Sequence, residues 1–518
     1  MGVSLLYQTS YLAVFFALLF WMLLAEYRQV GKYFRFVFFF ALTAWAISVA
    51  QSDGSNSFKL LVVFRDLLTV AVGSLIVYFA RSNKMVGILA VLGMFFIMMS
   101  WYVPVLKGTF APGTSIISLD PDAELLVDAK EGVDHAQIQE FLATRSVSVK
   151  RAFHPASSEI TELDDYYLID LRSGDHIADH HTVLESTRLL NESGLVDWIE
   201  ENEVVSTTPI EGEEELRTGG KFGLNDPFVD KLWAFDVLDI EALYNVLTSL
   251  KPHTKTLIAI LDTGVDGQHE DLADNFVTIN KLYDNDVRGH GTHVAGIAAA
   301  VSNNHKGIAS FLPNEDFVAV TSIKVLSDMG AGSQATIIKG MIEAADYGVD
   351  VISMSLGGRT NEKKQKAYED ALSYCNKKGV IVVAAAGNSN RNAQEISPAN
   401  IPGVITVSAI NANMEKAYFS NTVDGLRFPI AAPGEDIYST FPKNQYKSFK
   451  GTSMAAPYVA SIIGLLRSIN PALTTEKVHA LLSDTGLDSR STHLTGRVIQ
   501  PAQAVTRLIS EQQDPNAL

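Results

Sequence analysis

Three residues that together can form an activated hydroxyl nucleophile lie at three separate points of the chain. Asp262 follows the apolar run TLIAIL, His290 lies in RGHGTHVAG, and Ser453 lies in FKGTSMAAPYVA. Serine alone is a weak nucleophile. It needs an imidazole to take its proton and a carboxylate to orient that imidazole and stabilise its cation. The sequence therefore predicts serine-based acyl transfer, provided that the fold brings the three side chains together.

A fourth residue could stabilise the charge that such a reaction develops. Asn388 lies in AAAGNSN, immediately after another apolar run. Its amide can donate to a developing oxyanion, together with the backbone N–H of Ser453 at a positive helix end. His293, three residues after His290, leaves open whether the two histidines form a metal pair, part of a buried helix, or one catalytic base with a neighbour.

The elements that must position these residues have a clear pattern. Apolar runs alternate with helical segments such as GSQATIIKGMIEAADYG and TSMAAPYVASIIGLLRSI. The runs are continuous in hydrophobicity, which is typical of parallel strands buried on both faces. They are TLIAIL, DVISMSL, VIVVAAA and GVITVSAI. We predict a three-layer, doubly wound α/β domain over residues 225–512, with its chemistry at the carboxyl ends of the strands.

Five motifs in this order resemble one known family. DTGVD, GHGTHVAG, SMSLGG, AAAGN and GTSMAAP make residues 226–518 similar to the subtilisin-like serine proteases, and within them to the thermitase-type branch. The resemblance implies a catalytic triad of Asp262, His290 and Ser453, with Asn388 as an oxyanion donor. It also implies that His293 is structural, so that the two histidines are one catalytic base and one neighbour.

The resemblance further implies a cleft in which substrate is added as an extended strand. Two segments would form its walls: Gly330, Ala331 and Gly332 on one side, and Ser355, Leu356 and Gly357 on the other. The primary pocket would lie between the second wall and AAAGN. Ser389 stands where some members have an acid, and Ile396 would partly fill the pocket floor. We therefore expect apolar or small residues before the cleaved bond.

A structural Ca²⁺ site is also implied by the resemblance, through the segments NDPF, HEDL and VSNNHKGI. The alternative is an ordinary polar loop. The expected side-chain ligands are Asp226, Asp271 and Asn304, and the expected carbonyl ligands are Val301, Lys306 and Ile308. Six oxygen ligands suit Ca²⁺.

The segment before the catalytic domain has its own pattern. Residues 123–208 predict a βαββαβ order, in which TVLESTRLLNESGLVDWIEE is a helix and NEVVSTT the last strand. WIEENEVVSTT resembles the end of the inhibitory propeptide of these proteases. Residues 209–224 are acidic and then Gly-rich, which predicts a linker. The resemblance places the maturation cut near Thr208, but because Pro209 follows, we expect the cut within the linker, up to about residue 220.

The first 107 residues differ in composition from the rest. Four apolar runs each approach the ~20 residues that cross a bilayer, and they begin with LLYQTSYL, YFRFVFFF, FKLLVVFR and MVGILAVL. The loops after the first and third runs are the basic ones. Positive-inside logic then places the N-terminus and everything after residue 107 outside the cell membrane. The adjacent pair Arg65 and Asp66 is expected to snorkel to the interface rather than to be buried.

Charge and cysteine content narrow the classes of protein. The whole chain has a formal net charge of −17. The first 107 residues carry +5, so the remaining 411 residues carry −22. Such a field argues against a nucleic-acid partner. Cys375 is the single cysteine, which excludes an intrachain disulfide. The prediction is a membrane-anchored extracytoplasmic serine endopeptidase made as a zymogen, whose partners are polypeptide substrate, its own propeptide and the bilayer. The alternatives are a catalytically silent binding protein on the same fold, and a membrane sensor or channel.

Overall fold

A computed structural model describes most of the chain. The described residues are 3–24, 28–51, 56–80, 123–142, 147–171, 180–207, 210–212, 222–360 and 365–513. The chain forms two compact units, Met1–Ile116 and Ile117–Leu518.

Among its described residues, the N-terminal unit has three packed helices: α1 (Val3–Leu23), α2 (Arg28–Gln51) and α3 (Asn56–Ala80). Gln29–Val49 and Val62–Phe79 are long and apolar enough to cross a membrane, and Thr9–Leu23 is a shorter apolar stretch. A helix of the second unit, Thr452–Ile469, meets the same criteria but is buried within its domain. The fourth predicted run, at residues 85–106, lies outside the described residues.

A polar cluster joins the three helices, and the expectation of an unburied pair was wrong for Asp66. Asp66 is 1% exposed rather than at a surface. Its Oδ2 accepts hydrogen bonds from the Tyr7 hydroxyl at 2.7 Å and from Trp45 Nε1 at 3.1 Å. Arg65 donates to Oδ1 from the same helix, and the Tyr11 hydroxyl donates to the Asp66 carbonyl at 3.0 Å. A buried charge is tolerated here because each helix supplies a partner.

The second unit begins with a small antiparallel sheet covered by helices on one face. Its strand order is β2-β3-β1-β4. The elements are β1 (Leu125–Ala129), α4 (His135–Phe141), β2 (Ser148–Arg151), β3 (Tyr166–Asp170), α5 (His180–Ser193) and β4 (Val196–Glu201). One boundary was predicted wrongly: the second helix ends at Ser193, and GLVDWIEE forms β4. The run NEVVSTT instead contains a separate strand, β5 (Val204–Ser206), which leaves this sheet.

Both faces of strand β1 are buried, for different reasons. Leu125, Val127 and Ala129 pack with the sheet's own helices. Leu126 points to the opposite face and joins the core of the following domain. On that face Asp128 also forms a 2.7 Å ion pair with Lys366. Alternate residues of one strand therefore fold the small domain and fasten it to its neighbour.

The larger domain is built on an eight-stranded sheet with the order β19-β16-β15-β13-β11-β7-β9-β8. Its strand pairs are parallel. The strands are β7 (Thr256–Asp262), β8 (Phe276–Val277), β9 (Val318–Lys324), β11 (Val351–Met354), β13 (Ile381–Ala385), β15 (Ile405–Ile410), β16 (Pro429–Pro433) and β19 (Arg497–Val498). The four predicted runs are all strands of this sheet, as their uninterrupted burial requires.

Helices cover both faces of the sheet, which gives the predicted three layers. They are α6 (Ala234–Val237), α7 (Ile240–Leu247), α8 (His290–Ala299), α9 (Gln334–Tyr347), α10 (Lys366–Lys377), α11 (Thr452–Ile469), α12 (Thr475–Thr485), α13 (Thr492–Thr495) and α14 (Pro501–Gln513). Helices α9 and α10 pack on one face, while α8, α11 and α14 pack on the other. Cys375 is buried in α10, where burial raises its pKa to about 12, so it is an inert core residue.

Three small sheets flank the large one. One pairs β10 (Ala331–Ser333) with β5, and a second pairs β12 (Gly358–Arg359) with β14 (Ile396–Ser397). The third has the order β17-β18-β6 and is formed by β17 (Ile437–Phe441), β18 (Gln445–Lys450) and β6 (Ile210–Glu211). Strands β5 and β6 come from the segments before the large domain, so this part of the chain continues across its surface.

Candidate active site

The aspartate and the first histidine lie side by side at the carboxyl edge of the large sheet. Asp262 is the last residue of β7, and His290 is the first residue of α8. Nδ1 of His290 lies 2.7 Å from Oδ1 and 2.9 Å from Oδ2 of Asp262. Both side chains are fully buried. Donation by Nδ1–H leaves Nε2 as the proton acceptor, and Nε2 is buried without a hydrogen-bond partner among the described residues.

Ser453 lies in the first turn of α11, where backbone N–H groups have no intrahelical partner. Its hydroxyl donates to the Ser355 carbonyl at 3.2 Å, so it is not paired with His290 in this structure. Active-site hydrogen bonds are commonly loose without substrate. The Ser355 hydroxyl donates in turn to the Ser453 carbonyl at 2.7 Å.

That second bond has a local cause in the sequence. Pro457 lies four residues after Ser453 and lacks the N–H that would otherwise bind the Ser453 carbonyl. The Ser355 hydroxyl replaces it. Proline is most easily accommodated in the first turn of a helix, and Pro457 lies beyond the first turn of α11. The hydrogen bond that its nitrogen cannot make is replaced by one from Ser355, a residue of the cleft wall.

Asn388 is oriented by the residue before the serine. Its Oδ1 accepts from the Thr452 N–H at 2.8 Å and from the Thr452 hydroxyl at 2.9 Å. A Cβ placed on Gly451 would lie 3.1 Å from Nδ2 of Asn388. The amide donor is therefore adjacent to the N-terminus of α11, which is the arrangement that an oxyanion-stabilising pair requires.

His293 has the surroundings of a core residue. Its Nε2 donates to the Lys447 carbonyl at 3.0 Å, and its ring stacks on Phe449 with centroids 4.6 Å apart. Burial lowers its pKa to about 3, so the ring is neutral at physiological pH. No group of three His, Cys, Asp or Glu side chains suited to a metal ion occurs among the described residues.

One buried carboxylate near the histidine was not identified from the sequence. Asp286 accepts hydrogen bonds from Gly289 N–H at 2.8 Å and Thr292 N–H at 2.9 Å, so it caps the start of α8. It also accepts from the Thr263 hydroxyl at 2.9 Å, beside Asp262. Burial raises its pKa. An aspartate shortly before a helix is the capping signal that could have revealed it.

The chain's own strand β5 fills the cleft between the two predicted walls. On one side Ser206 pairs with Ala331 and Val205 with Gly332, and Thr207 N–H donates to the Gly330 carbonyl at 3.0 Å. On the other side Ser206 bridges to Gly357. Extended backbone added between two edges is a recognised mode of peptide binding. Gly330, Ala331, Gly332 and Gly357 thus border an extended segment. Ser355, in the second wall, contacts Ser453 instead.

The predicted pocket floor is apolar. Ile396 is 8% exposed. A Cβ on Gly357 would lie 2.9 Å from its Cγ2, and a Cβ on Gly387 would lie 3.5 Å from its Cγ1. Ile396 therefore lies between the second wall and the AAAGN segment, where the pocket was predicted. Ser389, where an acid would recognise a basic side chain, donates its backbone N–H to Asn421 at 3.0 Å.

The residues expected to bind calcium also come together. Asp226 accepts from the N–H groups of Asn303 and Asn304 at 2.9 and 3.2 Å. Asp271 accepts from the Asn304 amide at 2.8 Å and from the Ile308 N–H at 2.8 Å.

Both carboxylates of this cluster are buried, and burial raises the pKa of each. Neither takes part in an ion pair among the described residues. Val301 and Lys306 belong to the same loop: Val301 N–H donates to the Asp271 carbonyl, and Lys306 N–H to the Asn304 amide oxygen. Two buried anions with an amide oxygen form a donor set that fits Ca²⁺.

Comparisons with known proteins agree with this geometry. The profile of the Subtilase family matches residues 253–502. Thermitase of Thermoactinomyces vulgaris is 44% identical over 216 residues, which cover 41% of this chain and 74% of thermitase. Subtilisin DY of Bacillus licheniformis is 37% identical over 257 residues, 48% of this chain and 90% of the relative. The thermophilic serine proteinase of Bacillus sp. strain AK1 is 37% identical over 288 residues, which cover 54% of this chain and 65% of that protein.

The fold and these similarities define a serine endopeptidase, which confirms the predicted enzyme class. The chain belongs to the subtilase family. The family profile covers the large domain; the helical unit and the small sheet precede it.

Proposed function

We propose that this protein is a membrane-anchored serine endopeptidase, made as a zymogen, that hydrolyses extracytoplasmic polypeptides with Asp262, His290 and Ser453. The observation that carries the proposal is the buried Asp262–His290 pair, in which Nε2 of His290 has no hydrogen-bond partner among the described residues. Ser453, at the N-terminus of α11, is the proposed nucleophile. In the proposed reaction the Ser453 side chain turns away from the Ser355 carbonyl, to which it donates here, and its hydroxyl pairs with Nε2.

The proposed steps follow from these groups. His290 takes the proton from the Ser453 hydroxyl as the oxygen attacks the substrate carbonyl carbon, and Asp262 stabilises the imidazolium. Asn388 Nδ2 and the Ser453 N–H donate to the oxyanion. His290 then protonates the leaving amine, and water hydrolyses the acyl-enzyme by the same route. The apolar floor at Ile396 favours apolar or small residues before the cleaved bond.

Ser453→Ala tests the triad directly. We expect it to abolish labelling by a fluorophosphonate and hydrolysis of a peptide, with a loss in kcat on the order of 10⁶-fold, the size that removal of the catalytic serine has in subtilisin. Asn388→Ala should cost about 10²- to 10³-fold, as for one oxyanion donor. Near-normal turnover by Ser453→Ala would contradict the assignment of the nucleophile.

The propeptide role of residues 123–208 is supported by strand β5. A segment that follows the small sheet and fills the cleft between Gly330 and Gly357 blocks the entry of another peptide. The small sheet is also fastened to the large domain away from the cleft, through the Lys366–Asp128 ion pair and the Tyr166–Asp370 hydrogen bond of 2.7 Å. Such a domain would keep the protease latent until it is removed.

Maturation is proposed to occur by a cut in the linker. Strand β6 pairs with β18, where Ile210 lies opposite Lys450, three residues before Ser453. The bond between Thr208 and Pro209 is a poor substrate because the proline nitrogen is tertiary. We therefore propose a cut after Pro209, up to about residue 220. Mass spectrometry of the mature N-terminus tests this: a mature chain that begins at residue 209 or earlier would contradict it.

Membrane anchoring is supported by the apolar helices α2 and α3. Their outward faces carry exposed large apolar side chains, which suit contact with lipid. These are Tyr33, Phe36, Phe39, Phe40, Phe64, Leu67, Leu68, Val72, Leu75 and Phe79. With the loop cations as the orientation signal, the protease domain would lie on the extracytoplasmic side.

A structural Ca²⁺ ion is proposed at the cluster of Asp226, Asp271 and Asn304. When bound, the ion would neutralise two buried carboxylates and hold together three separate segments of the domain. The Val301, Lys306 and Ile308 carbonyls are proposed as its remaining ligands. The role is stabilisation, and the ion takes no part in the proposed catalytic steps.

A further inference from the structure

The loop that carries Asn388 is organised by a second asparagine from a distant part of the chain. Asn421 lies between strands β15 and β16, and it is completely buried. Its Oδ1 accepts from the N–H groups of Ser389 at 3.0 Å and Arg391 at 2.9 Å. Its Nδ2 donates to the Ala386 carbonyl at 2.8 Å.

The backbone of Asn421 adds a fourth contact. Its N–H donates to the Gly387 carbonyl at 2.9 Å. Gly387 has φ of +97°, and a Cβ there would lie 2.6 Å from Asn421 Nδ2. The loop can approach the amide this closely only because position 387 is glycine. Asn421 therefore binds the chain on both sides of Asn388, at residues 386–387 before it and 389–391 after it.

We propose that Asn421 is a positioning residue that fixes the backbone on either side of Asn388 and so aims the Asn388 amide at the oxyanion. The inference rests on the proposed function of Asn388. Thr452 binds the side-chain oxygen of Asn388. That contact directs Nδ2 towards the oxyanion only if the Asn388 backbone is also fixed. Asn421 supplies this second constraint.

The chemistry of the site requires an asparagine side chain. The two N–H groups need an acceptor and the Ala386 carbonyl needs a donor, and one amide provides both. Because Asn421 is buried, water cannot readily replace it after truncation. Small errors in placement near the reacting atoms have large effects on rate, on the order of 10²-fold for 1 Å.

The test compares Asn421→Ala with Asn411→Ala in the full-length, self-processed enzyme. Asn411 is a matched control because its Oδ1 also accepts two backbone N–H groups, from Asn413 at 3.0 Å and Glu415 at 3.1 Å. Rates are normalised to the end point of fluorophosphonate titration. We expect Asn421→Ala to lower kcat about 10- to 100-fold with KM changed less than about 3-fold, and Asn411→Ala to leave both unchanged.

A double-mutant cycle separates positioning from general destabilisation. In the Asn388→Ala background the donor is absent, so adding Asn421→Ala should cost less than about 3-fold more in kcat. Equal losses in both backgrounds, or normal kcat in Asn421→Ala, would overturn the inference. If wild-type enzyme showed no turnover that depends on Ser453, the proposed function itself would fail instead.

Asn421→Asp keeps the inference testable if the alanine variant does not fold. The carboxylate keeps the acceptor for Ser389 and Arg391, but it can donate to the Ala386 carbonyl only when protonated. We therefore expect kcat relative to wild type to rise as the pH falls. A ratio near one at every pH would overturn the inference.

Discussion

Glu200 of the small sheet contacts the large domain, and this contact leads to a quantitative prediction about the proposed latency. Glu200 lies in β4 and is 1% exposed. Its Oε1 accepts from Gln334 Nε2 at 2.9 Å and from the Ala367 N–H at 3.2 Å. Gln334 begins α9 and Ala367 lies in the first turn of α10. One carboxyl group therefore lies at the N-termini of two helices of the protease domain.

Burial raises the pKa of Glu200 from 4.5 to about 7. If the small domain separates, Glu200 returns to water and its pKa returns to the ordinary value. The bound state thus holds the proton more strongly, so the contact is strongest below about pH 4.5 and weakens as the pH rises through 7. The shift corresponds to about 3 kcal/mol, and two helix N-termini favour the anion by about 0.5–1 kcal/mol each. The net effect is roughly 1–2 kcal/mol, or about 5- to 30-fold over the whole titration.

The assay follows the rate at which purified full-length chain gains activity towards a chromogenic peptide between pH 5 and pH 8. Dividing by the activity of mature enzyme at each pH removes the titration of the catalytic groups. Wild type should activate about 2- to 8-fold faster at pH 8 than at pH 5, because part of the titration lies below pH 5. Glu200→Gln should show little pH dependence. Glu192→Gln, an exposed substitution on α5, is the control and should behave as wild type. Faster activation of wild type at low pH would refute the reasoning, because the helix ends would then outweigh burial.

Three further outcomes are expected. Chelation should lower the melting temperature of the mature domain, because a Ca²⁺ concentration of 100 times the Kd stabilises the folded state by about 3 kcal/mol. Asp271→Ala should remove that sensitivity to chelation, and the exposed Asp274→Ala should keep it. An unchanged melting curve in wild type would exclude the ion. Asp66→Ala should destabilise the helical unit in detergent by about 3–5 kcal/mol, because Arg65 and Tyr7 lose the Asp66 carboxylate. Asp66→Asn should cost less. Equal stability of wild type and both variants would contradict a structural role for the cluster. Wild-type chain in intact cells should release a soluble catalytic fragment of roughly 300 residues, given a cut before about residue 220. Ser453→Ala should stay full-length and membrane-bound, and protease added to the cells should digest its catalytic domain. If added protease reaches that domain only after lysis, the topology is inverted.

The pairing of Asp262 with His290 was predictable because it depends on a rule of topology. Asp262, His290 and Ser453 each end a parallel strand or begin a helix, and in an α/β sheet these points share one edge. Asn421 gives no comparable signal. It lies in a connection between strands, and its importance comes from contacts with residues 386–391, which are remote in sequence. Local pattern cannot report such contacts.

One boundary and one burial were predicted wrongly, each for a physical reason. GLVDWIEE continues the apolar spacing of the preceding helix, so periodicity extends the helix over it, whereas the fold uses it as strand β4 against β1. Asp66 was expected at an interface because a charge alone in lipid is costly. Its partners Tyr7 and Trp45 come from two other helices, and the pairing becomes visible only when all three helices are packed.

The covalent path from the helical unit through β5 to the protease domain has a consequence for where activity can appear. While that path is intact, the blocking strand is present at an effective concentration on the order of millimolar, whatever the number of molecules in the cell. A cut in the linker leaves the blocking strand joined to the helical unit and frees the protease domain to diffuse. Recapture then depends on ordinary dilution. Near the bilayer, where anchored inhibitor is dense, a freed domain is soon bound again; farther away it is not. The protein would in this way spare its own surroundings and act at a distance from them.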